Sequence, residues 1–347
     1  MRSRLFFALA GAVALVAGAA PNAYASHPHA NRLPAHVFAP YYFDPTDNIA
    51  AISQQSGADY LTLAFLQTEK TGSCTVYWNG DTTTPVAQST YGAGIAALRA
   101  AGGDVVPSFG GADADTHNTE IADSCTNVHA IAAEYERVIT TYNVTRLDFD
   151  VEEDSINLPA NLPGIDRRNK AIHLVERWAK RVHRTVQFVY TIPTNVGGLD
   201  TGGVHLLRNA VANDARIDIV NVMTFDYYDD QSNACAAGNG PPHEMAADTI
   251  TAAGHLHDTL RQVYPHSSGS QLWRMIGITE DVGRDDFGPC ETFTTADATA
   301  ITEWAIAKRL AEVSFWSIQR DTTRRSHVPQ ADWQFSNTFE PVTSWRH

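Results

Sequence analysis

Between residues 146 and 153 the chain reads Arg146-Leu147-Asp148-Phe149-Asp150-Val151-Glu152-Glu153. Three acids at every second position, with Leu147, Phe149 and Val151 between them, have the period of an extended strand, whose side chains point alternately to opposite faces. Asp148, Asp150 and Glu152 therefore share one face and the apolar residues share the other. Crowding carboxyl groups out of water raises their pKa values, through desolvation and through like charge, so such a row holds a shared proton near neutral pH. A carboxyl group that keeps its proton there is what general acid catalysis needs. Two other readings explain the spacing: an edge strand whose polar face meets water, and a cation site. Parallel strands packed on both faces seldom have a solvated side, and Ca2+ or Mg2+ calls for a flexible oxygen cage rather than one stiff strand.

The row needs a frame, and the flanking sequence supplies one. Val37–Tyr42, Tyr60–Leu66, Asp104–Phe109, Arg146–Val151, Val186–Ile192, Ile217–Met223, Arg274–Ile278 and Val313–Trp316 are rich in Val, Ile, Phe and Tyr and bounded by Gly, Pro, Asn or Asp, which predicts eight strands. Between them Ala93–Ala101, Val128–Thr141, Arg167–His183, Val204–Asn213, Glu244–Val263 and Asp297–Ala311 carry apolar residues at helical spacing, and the weakest helical pattern lies near Asn48–Ser56. Eight βα units predict an α/β protein with a (β/α)8 barrel, a doubly wound open sheet being the runner-up. No linker, repeat or composition break divides residues 26–347, so a single domain is expected. The acidic row falls on the fourth strand, with Glu152 at its C-terminal end, where the active sites of such barrels lie.

Length and charge bound the rest. The 347 residues carry 39 acidic against 25 basic side chains, a net charge of -14, which disfavours nucleic acid and anionic membrane surfaces as partners. Arg2 and Arg4, the uncharged stretch Leu5 to Ala20, Pro21 and the small-residue site Ala23-Tyr24-Ala25 have the layout of a secretory signal peptide over residues 1–25. Its removal takes two arginines and no acid, so the net charge becomes -16. No second long apolar run follows, and a secreted, extracellular monomer is expected. Export places Cys74, Cys125, Cys235 and Cys290 in an oxidising setting; without a C-x-x-C pair they predict two disulfides. The pairing Cys74–Cys125 and Cys235–Cys290 would join consecutive strand-to-helix loops.

The Asp-x-Asp-x-Glu run resembles the fourth-strand signature of family 18 glycoside hydrolases, the chitinases and their relatives. Ser108-Phe109-Gly110-Gly111 is similar to that family's third-strand Ser-x-Gly-Gly, and Val222-Met223-Thr224-Phe225-Asp226-Tyr227 to its sixth-strand Met-x-x-Asp segment. Phe315-Trp316-Ser317-Ile318 resembles its eighth-strand segment, and Phe38-Ala39-Pro40-Tyr41 fits the first strand. Each motif is weak alone; their order and spacing over residues 108–318 make the set strong.

The resemblance implies a substrate-assisted retaining mechanism, in which the substrate's 2-acetamido group is the nucleophile. Glu152 would be the general acid and then the base, Asp150 would steer the acetamido group, and Asp148 would tune Asp150. Tyr227 would bind the acetamido carbonyl, with Tyr228 as its competitor, because Phe225 stands where the family often has tyrosine. Trp316, Met223, Asp226, Ser108 and Gly110 would form the sugar site. The substrate implied is chitin or a chito-oligosaccharide, with no cofactor and no metal. Thr145 replaces an acid common in the family, and Glu153 stands where a small residue is common. The short connection from Glu280 to Thr295 leaves no room for the family's large α+β insertion and implies an open cleft suited to endo cleavage. An endo-β-N-acetylglucosaminidase acting on glycoprotein glycans, or a non-catalytic chitin-binding, lectin-like barrel, would share the frame.

Other groupings are weaker. His27 with His29, and His255 with His257, are two apart and on a helix would not share a face. Asp281, Asp285 and Asp286 read as a solvated loop. No G-x-S-x-G elbow supports serine hydrolysis. Trp333, Phe335, Phe339 and Trp345 read as packing against the barrel bottom rather than a sugar surface.

Overall fold

Residues 33–44 and 48–344 are described by the computed structural model of the chain; the expected leader, His27, His29 and Trp345 lie outside them. The strands are β1 (Val37–Phe38), β2 (Tyr41–Tyr42), β3 (Tyr60–Thr68), β4 (Val76–Trp78), β5 (Asp104–Gly110), β6 (Arg146–Asp150), β7 (Gln187–Pro193), β8 (Ile219–Met223), β9 (Ile276–Asp281), β10 (Gly283–Arg284), β11 (Thr292–Phe293) and β12 (Glu312–Trp316). Nine of them form a curled parallel sheet in the order β1-β12-β9-β8-β7-β6-β5-β3-β2. The expected first strand, Val37–Tyr42, is thus split. Its Ala39 N–H donates to the Val313 carbonyl at 3.0 Å, whereas the Pro40 carbonyl accepts from the Thr62 N–H at 3.0 Å. Pro40 itself has no N–H for a ladder, and at this break the chain changes partner from the last strand to the next one.

Helices surround the sheet because their apolar stripes require it. Helix Val128–Tyr142, capped by the Asn127 side chain, buries Ile131, Tyr135, Val138 and Ile139. Against this stripe lies the outer face of β6, where the Phe149 ring is within 4.9 Å of Tyr135 and 5.6 Å of Phe109. Leu147, Phe149 and Val151 are fully buried, each contributing roughly 1.5–3 kcal/mol by leaving water. The expected alternation therefore holds: apolar residues pack under the helices and the acids turn inward. At the opposite end of the sheet from Glu152, Arg146 and Glu312 form a buried ion pair at 2.7 Å.

Further elements depart from the sequence reading. Strand β9 runs to Asp281 rather than ending at Ile278, because Thr279, Glu280 and Asp281 are buried polar residues that no apolar pattern marks. Arg274, expected at its start, instead closes the short helix Gly269–Trp273. Strand β4 pairs antiparallel with β3 in a hairpin that the periodicity did not signal. The sulfurs pair as Cys74–Cys125 and Cys235–Cys290, and among the described residues no helix is long and apolar enough to cross a membrane.

Candidate active site

Asp148 lies deepest in the acidic row. Its Oδ2 accepts hydrogen bonds from the Ser108 hydroxyl at 2.6 Å and the Tyr41 hydroxyl at 3.0 Å, and its Oδ1 accepts from Thr191 at 2.7 Å. Burial raises its carboxyl to about 6, against the pull of these three donors and of Arg146. Asp150 is buried beside it, and its Oδ1 has no hydrogen-bond partner among the described residues. Burial first, then the charges of Glu152, Asp148 and Asp115, push Asp150 well above the ordinary carboxylate range. Glu152 stands just past the end of β6, partly buried, as the residue before the short helix Glu153–Ile156. Burial, followed by the charges of Asp115, Glu153 and Asp226, pushes its carboxyl up to about 8, while the Ala112 N–H pulls the other way. At neutral pH Glu152 therefore keeps its proton.

These acids open into a cleft of about 460 Å3 whose wall includes Asp150, Glu152, Glu153, Met223, Asp226, Tyr228 and Trp316. The Trp316 ring lies nearly parallel to that of Phe65, 14° apart at 5.6 Å, and is also stacked with Phe43 at 5.3 Å. The three rings form an apolar cluster, of which Trp316 and Phe65 reach the cleft wall. Asp226 faces the cleft from the loop after β8; burial, then the charge of Asp286, raise its carboxyl to about 7. The ion pair of Asp281 with Arg320, at 2.8 Å, closes the wall beside them.

The structure brings Asp150, Glu152, Met223, Asp226 and Trp316 into one cleft and sets other expected residues elsewhere. Ser108 is fully buried and reaches Asp148 rather than the cleft. Gly110 does not line the cleft either. At φ +101° a Cβ there would stand 1.9 Å from the Asp150 carbonyl oxygen, so this glycine lets β5 approach β6. Gly111, at φ +85°, similarly leaves room for the Phe65 ring. Tyr227 turns away from the acids: it is 3% exposed, its ring is 5.1 Å from that of His243, and Glu280 is its main charged neighbour. Tyr228, 57% exposed, takes the place on the cleft wall. Asp281 and Asp285 are not solvated but buried. Burial and a hydrogen bond with Glu291 push Asp285 up to about 9, so Asp285 keeps its proton at neutral pH.

Carboxylate atoms of Asp226, Asp285 and Glu291 lie within 4.8 Å of one another. They are already occupied by donors from the chain: Asp285 accepts from the Asp226 and Phe287 N–H groups, Glu291 from the Tyr227 N–H and the Ser232 hydroxyl, and Asp226 from the Asp286 N–H. Sequence reasoning assigned no role to Tyr41, Phe43, Phe65, Asp115 or Thr191. Tyr41 alone had a signal, since it belongs to the first-strand motif.

Buried acids and aromatic rings sharing one cleft at the strand ends of a parallel sheet fit the class of α/β glycoside hydrolases. The chain belongs to glycosyl hydrolases family 18, whose family model matches residues 38–267. It is 32% identical over 295 residues to a probable bifunctional chitinase/lysozyme of Escherichia coli (strain K12), the match covering 83% of this chain and 31% of that protein. It is likewise 32% identical to endochitinase 11 of Metarhizium anisopliae, over 83% of this chain and 53% of the relative. The chain thus spans about a third and about half of these relatives' lengths. Among solved structures, the catalytic domain of a hyperthermophilic chitinase from Pyrococcus furiosus aligns with a TM-score of 0.75 and 28% identity over 92% of this chain and all of that one. Catalytic-site mutants of active domain 2 of a chitinase from the same organism, complexed with chito-oligosaccharides, align with a TM-score of 0.76 at 28% identity, over 91% of this chain and 97% of theirs.

Proposed function

We propose that the chain is an exported chitinase that hydrolyses β-1,4 bonds between N-acetylglucosamine units with retention at the anomeric carbon. The observation that carries this reading is the gradient along one strand face, from Asp148, hydrogen-bonded three times, to Glu152, raised to about 8 at the cleft. Glu152 gives its proton to the glycosidic oxygen as the bond to the anomeric carbon breaks. The acetamido carbonyl oxygen forms the replacing bond, and Asp150 accepts the acetamido N–H and offsets the positive charge that develops. Glu152, now a carboxylate, takes a proton from the water that opens the ring intermediate. Asp148, the easier of the two to ionise, takes over the proton that Asp150 holds at rest, so that Asp150 bears the charge facing the acetamido group; Trp316 carries the reacting sugar, and Tyr228 replaces Tyr227 as the hydroxyl nearest the acetamido group.

The same reading takes the curled sheet as a (β/α)8 barrel closed across the Ala39-Pro40 break, within one catalytic unit over 26–347. The connection after β9 holds only the β10–β11 hairpin, which supports an open cleft without an α+β insertion and cutting within the polymer. Disulfides in both loop pairs support an oxidising compartment. The test is hydrolysis of chitin and chito-oligosaccharides by the mature protein beside Glu152→Gln. The wild type should cleave them, and the variant should lose at least about a hundredfold in kcat with unchanged circular dichroism. Equal rates on substrates lacking the acetyl group would overturn the assisted mechanism.

A further inference from the structure

The short helix Glu153–Ile156 follows Glu152 directly, so Glu152 occupies the capping position but makes no side-chain cap bond. Its carboxyl points at the cleft instead, which leaves the first N–H groups of that helix without their usual local acceptor. Asp115, on helix Ala112–His117 after β5, supplies the acceptors from another element. Its Oδ2 accepts from the Asp154 N–H at 3.1 Å and its Oδ1 from the Ser155 N–H at 2.7 Å. The other side of the segment is also held: the Ser155 hydroxyl donates to Asp123 at 2.5 Å, and Asp123 faces the buried Arg168 guanidinium at 3.5 Å.

We infer that Asp115 is a positioning residue for Glu152, capping the segment that carries it and setting a negative charge beside it that keeps its proton in place. The inference rests on the reading of Glu152 as proton donor. The charged groups facing Glu152 are carboxyls: Asp115 from the β5 loop, Glu153 from its own segment, Asp226 from the β8 loop, and Asp150 on β6; the Tyr228 phenol and the Ala112 N–H face it as well. Arg320, the cation on the cleft wall, is engaged by Asp281. Asp115 heads the charges acting on Glu152; burial raises its own carboxyl above the ordinary range, while the two N–H donors pull toward its anionic form.

Asp115→Asn keeps one acceptor for the segment and removes the charge; Asp115→Ala removes both. Mature protein carrying glutamate labelled with 13C at the carboxyl carbon is titrated by NMR, the Glu152 resonance being the one missing from Glu152→Gln. Asp115→Asn should lower the Glu152 midpoint by about one unit, the effect of losing one nearby like charge. A midpoint unchanged or raised overturns the inference. Should Asp115→Asn fail to fold, Asp115→Ser, a neutral acceptor, is read in the same way. This titration requires no turnover, so a wild type that does not cleave chitin sinks the proposed function while the midpoint still decides the role of Asp115. In steady-state kinetics the alkaline limb of kcat/KM should move down with the midpoint in Asp115→Asn. Asp115→Ala should in addition lower kcat more than it changes KM; a purely structural cap would leave the alkaline limb in place.

Discussion

Asp148 and Asp150, neighbours on one face of β6, are opposites in hydrogen bonding: three hydroxyls donate to the first, and the second keeps a buried oxygen with no donor among the described residues. Negative charge therefore rests more easily on Asp148, and Asp150 is the one with a free oxygen for a substrate N–H. Tyr41→Phe tests this division of labour. Losing a hydroxyl donor to a charged acceptor is worth about 1.5 kcal/mol or more, so kcat on a chito-oligosaccharide should fall about tenfold with KM within about twofold, as expected when a group acts mainly in the transition state. An unchanged kcat would show that Tyr41 does not tune the pair.

The proton on Glu152 predicts the alkaline side of the activity profile. With its carboxyl raised to about 8, the acid form is present at neutrality and is lost as pH rises through that value. Rates of chito-oligosaccharide cleavage should therefore decline above about pH 8. A profile that falls already between pH 5 and 6 would assign the proton to another group.

Burying so many carboxyl groups has a stability consequence of definite sign. Glu280 is fully buried, and burial raises it from the usual 4.5 to about 8 against the pull of Thr249, which donates to it at 2.9 Å. Between those values the folded form holds a proton that the unfolded chain has lost, so stability falls as pH rises, by about 1 kcal/mol per pH unit for one such group. Glu280→Gln should melt close to the wild type near pH 4.5 and above it at pH 9. Equal melting temperatures at pH 9 would mean that Glu280 does not lose a proton on unfolding.

Trp316→Ala removes the middle ring of the cluster that includes Phe43 and Phe65. KM for short oligosaccharides should rise about tenfold, the worth of one large aromatic contact, with a smaller loss in kcat. The check is the ratio of the two effects; a loss confined to kcat would place the sugar elsewhere.

The parts of the site legible in the sequence are those governed by alternation. Asp148, Asp150 and Glu152 follow the period of an extended strand, and their inward face followed from it. Alternation stops after Met223. Asp226 and Tyr228 take positive φ values, 47° and 50°, so the rule that would choose between Tyr227 and Tyr228 no longer applies. Asp281 and Asp285 looked like solvated loop acids because their partners, Arg320 and Glu291, are brought to them only by the tertiary fold. Asp115 had no signal at all, since an acid in the first turn of a short helix is ordinarily explained by the helix dipole.

Phe43 follows β2 near the start of the chain, and Trp316 ends β12 near its finish; the two rings stack at 5.3 Å. A chain emerging from its N-terminus thus completes the acid-bearing strand long before the residue that lies across Phe43 and Phe65 exists. Contacts of such long sequence separation form late, after the loop between them has closed. The wall of the cleft is therefore a contact between the two ends of the sheet, completed only when β12 seats between β1 and β9.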